Sequence, residues 1–190
     1  MKTTAIYAVR ARHGHTAAPG VARFMKTTAI YAGTFDPLTL GHVDLVERSA
    51  EIFDRLILAI AVSSPKETLF SMEERLSMAH EVVKSMKNIE VCSFGGLLVN
   101  FARERGVKVL VRGLRAYSDF ENEFQMALTN RKLAPEIETL FMMPKENHSY
   151  VSSSTVKMVA ELGGNTHGFV PVPVERALVR KFHHPPKRTK

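Results

Sequence analysis

The chain has 190 residues, 45% of them apolar and 24% charged, with one cysteine and a formal net charge of +7. That is room for one domain with a sizeable core, and no apolar run approaches the roughly 18 residues of a membrane helix. A lone cysteine, Cys92, excludes an internal disulfide and fits a reduced, cytoplasmic setting.

The basic excess lies at the ends. Residues 1–24 hold Lys2, Arg10, Arg12 and Arg23 and no acid, and without them 22 basic residues face 19 acidic ones. Lys187, Arg188 and Lys190 close the chain. A nearly neutral body argues against a nucleic-acid partner. The octet MKTTAIYA stands at 1–8 and again at 25–32, and only the second copy runs on into GTFDP. Segment 1–24 is therefore expected to be an artefact of the expressed chain or of start-site assignment, with a transit peptide as its rival. The domain is expected to span 25–184, followed by a basic tail, 185–190.

In chain order, apolar runs predict strands at 27–32, 55–62, 89–94, 108–113 and 138–143. Continuous runs, rather than alternation, suit strands buried on both faces. Helical spacing falls between them. Val43, Val46, Ala50 and Phe53 share one stripe. Ser71 with Glu74, and Ser118 with Glu121, have the spacing of capping boxes. Gly106 suits a helix C-terminus, as does Gly163–Gly164. Helices are predicted over 71–86, 97–106, 118–133, 152–164 and 173–182. The alternation predicts an α/β domain: a Rossmann-like parallel five-stranded sheet with helices on both faces. Ligands of such sheets bind outside the carboxyl ends of the strands. Met72, Met78, Met86, Met142 and Met143 lie at core-like spacing, and Cys92 reads as a small buried apolar residue.

Three clusters fall at that edge. The first, GTFDPLTLGH (33–42), leads from the first strand into the first helix. Gly33 and Gly41 are expected to permit unusual backbone and close approach of a ligand. His42 sits in the first helical turn, where free N–H groups and the helix dipole favour phosphate; a capping or packing role fits the same position. The second, VRGLRAYSDFENEF (111–124), places Arg112 and Arg115 at the end of the fourth strand, and paired guanidinium forks suit phosphate. Glu121 reads as a cap, and Glu123 as the residue that can face the site. The third, HSYVSSSTVK (148–157), starts a helix with Ser152, Ser153, Ser154 and Thr155, a run that serves N-capping and phosphate binding equally well. Lys66 follows the second strand, where a lysine can reach the same edge. Neither a P-loop nor a dinucleotide fingerprint is present.

With these residues in hand, the chain resembles the bacterial phosphopantetheine adenylyltransferase family, from about Met25 to about residue 180. Thr39-Leu40-Gly41-His42 is the T-x-G-H motif of the wider nucleotidyltransferase superfamily. Y-x-G-T-F-D-P (31–37), R-G-L-R-A (112–116) and V-S-S-S-T-V-K (151–157), in that order, narrow it. The resemblance implies reversible adenylyl transfer from ATP to 4′-phosphopantetheine, giving dephospho-coenzyme A and pyrophosphate. It implies Mg²⁺ carried on the ATP phosphates with no metal site on the protein, a homohexamer, and feedback binding of coenzyme A. It assigns catalysis to His42, Thr34, Lys66 and Arg115. Thr34, Lys66, Leu98 and Arg112 would bind phosphopantetheine. Thr34, Phe35, His42, Gly113, Leu114, Arg115, Glu123, His148, Ser149, Tyr150, Val151, Ser152, Ser153 and Ser154 would bind ATP. Three positions depart from the family: Ala32 for a common proline, His148 for a common Trp, and Tyr150 for a common Phe. The rivals are another adenylyl- or cytidylyltransferase, such as one acting on nicotinate mononucleotide, a basic nucleic-acid-binding module, and an inactive scaffold.

Overall fold

The computed structural model describes residues 27–62, 68–115 and 117–182, so segment 1–24, Lys66 and the tail 185–190 lie outside the described residues. Among the described residues, five strands and seven helices follow one another. They run β1 (Thr28–Gly33), α1 (Leu40–Ile52), β2 (Arg55–Ala61), α2 (Met72–Val83), β3 (Ile89–Phe94) and α3 (Leu98–Glu104). Then come β4 (Val109–Gly113), α4 (Tyr117–Leu133), β5 (Glu138–Met142), α5 (Glu146–Ser149), α6 (Ser153–Glu161) and α7 (Val172–Phe182). The strands are all parallel in the order β3-β2-β1-β4-β5.

Alternation along each strand sorts side chains between two cores. Ala29 and Tyr31 of β1, Leu56, Leu58 and Ile60 of β2, and Val111 of β4 face one layer. Leu45 and Val46 of α1, Met78 and Val83 of α2, Val156 of α6 and Leu178 of α7 close it. Ile30 and Ala32, Ile57 and Ala59, and Leu110 face the other layer, which Val99 and Ala102 of α3 cover together with Ala134 and Ile137. Burying such side chains contributes roughly 1.5–3 kcal/mol each. Burial on both faces holds for β1, β2 and β4 but not for the outer strands β3 and β5, which stay partly exposed because each has a neighbour on one side only.

The caps of α2, α3 and α6 follow local chemistry. Ser71 and Glu74 form a reciprocal capping box on α2. Gly106 and Gly163, at φ 64° and 72°, end α3 and α6 in the left-handed conformation that glycine adopts most readily. Three expectations are corrected. Helix α4 starts at Tyr117, so Ser118 lies inside it and is not its N-cap. Met143, just past edge strand β5, is 72% exposed, while its carbonyl accepts from Arg48 Nη1 at 2.6 Å. Cys92, on edge strand β3, is half-buried rather than enclosed, and burial holds its thiol above the ordinary value. The short helix α5 was not expected at all.

Helix α4 differs from the other long helices. None of its described side chains joins either buried apolar cluster, and Phe120, Phe124, Met126, Leu128 and Leu133 are all exposed. Among the described residues, no helix is long and apolar enough to cross a membrane.

Candidate active site

The order β3-β2-β1-β4-β5 reverses direction between β1 and β4, and a crevice opens at that switch point beyond the carboxyl ends of the strands. A cavity of about 380 Å³ lies there, and Thr34, Phe35, His42, Arg112, Gly113, Arg115, Glu123 and Ser152 to Ser154 line it.

The β1–α1 turn is built around a ring. Phe35 is a buried non-glycine residue with φ 47°, and its ring meets Tyr31 and His42 edge-on, at 5.3 and 5.2 Å between centroids. A Cβ at position 33 would come within 3.0 Å of Phe35 Cζ, and one at position 41 within 3.2 Å of the His148 carbonyl oxygen. Neither glycine has a positive φ. The expected unusual backbone is thus absent: Gly33 makes room for the Phe35 ring, and Gly41 for α5. The left-handed residue in this turn is Phe35 itself.

Thr39 caps α1. Its Oγ1 accepts the His42 N–H at 3.3 Å, and its own N–H donates to His42 Nδ1 at 3.0 Å. This is a capping box with histidine in the place usually held by Glu or Gln. Because Nδ1 accepts a hydrogen bond, the neutral ring carries its proton on Nε2 and keeps that N–H as its donor. Burial, followed by the positive charges of Arg115 and Arg112, lowers the His42 pKa to about 3. His42 is therefore a neutral hydrogen-bond donor in the unliganded cleft. Capping, one of the two roles open from the sequence, engages Nδ1 and leaves the Nε2–H out of the cap.

Across the crevice, the cations are paired. Arg112 donates from Nε and Nη2 to the two Glu123 oxygens at 2.6 and 2.7 Å, and from Nη1 to the Ala32 carbonyl at 2.7 Å. Burial works against its charge, yet the Glu123 hydrogen bond and charge leave its pKa raised. Arg115 donates Nε to Asp119 at 2.9 Å and Nη1 to the Val151 carbonyl at 3.4 Å.

The third wall is the start of α6. Ser152 Oγ accepts the Thr155 N–H at 2.9 Å, and Ser153 Oγ donates to the Pro37 carbonyl at 2.8 Å. The first hydroxyl is a cap and the second ties α6 to the β1–α1 turn, with the helix N-terminus at the cavity. Asp36, nearly fully buried, accepts from the Leu69 and Phe70 N–H groups, both at 2.9 Å, and from Lys157 Nζ at 2.8 Å.

Several expected residues stand elsewhere. Leu98 borders a second cavity of about 230 Å³, with Phe94, Leu97, Met126 and Asn130, and Arg112 lines both spaces. Val151 is buried and meets the site through its carbonyl. Leu114 N–H bonds the Met142 carbonyl and is outside the main cavity's lining, as are His148, Ser149 and Tyr150. Tyr150 is 69% exposed, edge-on to Phe169, and Ser149 bonds back to Glu146. Sequence reasoning missed Asp36, Lys157, Asp119 and Asn122. Asp36 and Lys157 sat inside quoted motifs, but their pairing spans 121 residues and has no local signal.

The fold and the site together define a class: a doubly wound α/β domain whose basic and hydroxyl side chains converge on the β1–β4 switch point. Residues 30–159 match the Cytidylyltransferase-like family model. A solved structure from Vibrio parahaemolyticus, described as a nicotinate-nucleotide adenylyltransferase, shares the fold with a TM-score of 0.62 at 15% identity, over 82% of this chain and 99% of that one. Curated phosphopantetheine adenylyltransferases are much nearer in sequence. That of Desulforudis audaxviator is 54% identical over 81% of this chain and 94% of its own length. That of Methylococcus capsulatus is 56% identical over 83% and 98%. The chain belongs to the phosphopantetheine adenylyltransferase family.

Proposed function

We propose that the protein transfers the adenylyl group of ATP, reversibly, to 4′-phosphopantetheine, forming dephospho-coenzyme A and pyrophosphate, the penultimate step of coenzyme A biosynthesis. The observation that carries this reading is the junction at Arg112. One guanidinium borders both the polar crevice of His42, Arg115 and the α6 N-terminus and the more apolar cavity of Leu98 and Phe94. The first space suits a nucleoside triphosphate, and the second suits a pantetheine arm whose phosphate reaches Arg112.

The nucleophile is a phosphate oxygen, already largely ionised at neutral pH, so no general base is required. The work lies in bringing two polyanions together and stabilising charge that grows around the α-phosphorus. The His42 Nε2–H donates there. Arg115 and the N-terminus of α6 hold phosphate oxygens, and Thr34 orients the incoming phosphate. Lys66, outside the described residues, completes the cationic set.

Mg²⁺ would be carried on the ATP phosphates, because the carboxylates lining the crevice are engaged: Asp36 with Lys157, Asp119 with Arg115, Glu123 with Arg112. When bound, the ion supplies charge neutralisation on the polyphosphate.

The bare apolar face of α4 supports assembly into a homohexamer through Phe120, Phe124 and Leu128. Coenzyme A carries both a pantetheine arm and an adenine nucleotide, so feedback binding falls in the same crevice. A cytoplasmic setting suits the free thiol of Cys92.

The test is pyrophosphate release from ATP and Mg²⁺, with 4′-phosphopantetheine and nicotinate mononucleotide offered in parallel. Release with 4′-phosphopantetheine alone is expected. Release with the mononucleotide instead would overturn the substrate, and release with neither would overturn the activity.

A further inference from the structure

Arg75 sits on α2, away from the cavity lining, and is 4% exposed. Its Nη1 donates to the Thr34 carbonyl at 2.8 Å and to the Ala61 carbonyl at 3.2 Å, and its Nε is buried with no hydrogen-bond partner. Among the described residues, no carboxylate lies within ion-pair distance of it. Glu73 senses its charge, but that carboxylate is exposed and bonds Ser71.

A buried guanidinium without a counter-charge costs stability, and an apolar side chain of similar volume would usually serve packing better. Its location suggests what it does instead. Gly33 of β1 pairs in register with Ile60 of β2, so Thr34 and Ala61 are the next residues out on adjacent parallel strands. Their carbonyls are strand-end acceptors beside the two cavities: Thr34 lines the main one and Ala61 the second. A guanidinium bridging them fixes the height of Thr34 relative to β2.

The reverse link exists too: Asp36, two residues beyond Thr34, accepts from Leu69 and Phe70 just before α2. Helix α2 and the phosphate turn are therefore stitched in both directions.

We propose that Arg75 is a positioning residue that acts through Thr34, holding the phosphate turn in its reactive place by bridging the carboxyl ends of β1 and β2. This rests on the adenylyl-transfer reading. A turn released by even about 1 Å can lose on the order of 10²-fold in rate.

The test is a double-mutant cycle of Arg75→Lys and Thr34→Ala, with turnover, KM and thermal unfolding measured on each protein and ATP binding followed by calorimetry. Lysine keeps the charge but not the fork. Arg75→Lys is expected to lower kcat by about 10- to 100-fold with KM for ATP within about threefold. In the Thr34→Ala background it is expected to cost less than about twofold, because the group it positions is gone. If Arg75→Lys does not fold, Arg75→Gln, which keeps two amide donors, takes its place in the same cycle. Additive losses, or a kcat within about twofold of wild type, would overturn the proposal. A wild-type enzyme without turnover would instead count against the activity. Coupling between positions 75 and 34 would then be read from ATP affinity, where additivity again overturns the positioning role.

Discussion

The two sides of the crevice are made in opposite ways. The β1–α1 turn is set by shape and hydrogen bonds: Phe35 under Gly33, His42 capping Thr39, Asp36 latched to the approach to α2, with one ion pair, Asp36 to Lys157 of α6. The β4–α4 side is set by ion pairs, Arg112 with Glu123 and Arg115 with Asp119. The first side is finished before a ligand arrives. The second holds its cations on carboxylates of the following helix, a short exchange away from phosphate. The site proposed for two polyanions needs both, because a rigid donor rewards correct geometry while a paired cation avoids an unbalanced charge.

The sharpest way to break this contrast is His42→Ala. Loss of a preorganised donor typically costs about 10²–10³ in rate, and turnover is expected to fall by at least that lower figure, with far-UV circular dichroism unchanged. A variant within about threefold of wild type would remove His42 from its central role.

A smaller effect tests how the neutral His42 ring is held. The His42 pKa is lowered to about 3 when folded, against an ordinary value of 6.5, so the unfolded chain binds more protons in that window. Stability conferred by the neutral ring is full above about pH 6.5 and is lost as pH falls toward 3. Thermal unfolding of wild type and His42→Gln across this range should show a steeper acid decline for wild type. Parallel curves would contradict it.

The smallest effect sharpens the ionic side. Asp119→Asn releases Arg115 from a partly exposed pair worth up to about 1 kcal/mol, so ATP is expected to bind up to about fivefold more tightly by calorimetry. Weaker binding would mean that Asp119 aims Arg115 rather than occupying it.

What the sequence made legible follows the range of each interaction. The strands and six of the helices were readable because apolar runs and capping residues act within a few positions, as at Ser71–Glu74 and Gly106. The edge that carries the cavity was readable because strand–helix alternation places it. Helix α5, four residues long, has no period to detect. The reason for Gly33 was hidden, since it depends on where the Phe35 ring folds back. Arg75 on the Thr34 carbonyl and Lys157 on Asp36 bridge 41 and 121 residues, and no local pattern announces them. The exposure of α4 was equally silent, because an apolar residue reads the same whether its partner is the core or another surface.

The His42–Thr39 bond has one more consequence. If the imidazole took up a second proton, it would have to sit on Nδ1 and confront the Thr39 N–H, leaving two donors face to face where α1 begins. Acid would thus strike the first turn of the helix and, in the role proposed for His42, the reacting centre in the same event. The scaffold and the proposed chemistry share a single ring as their fuse.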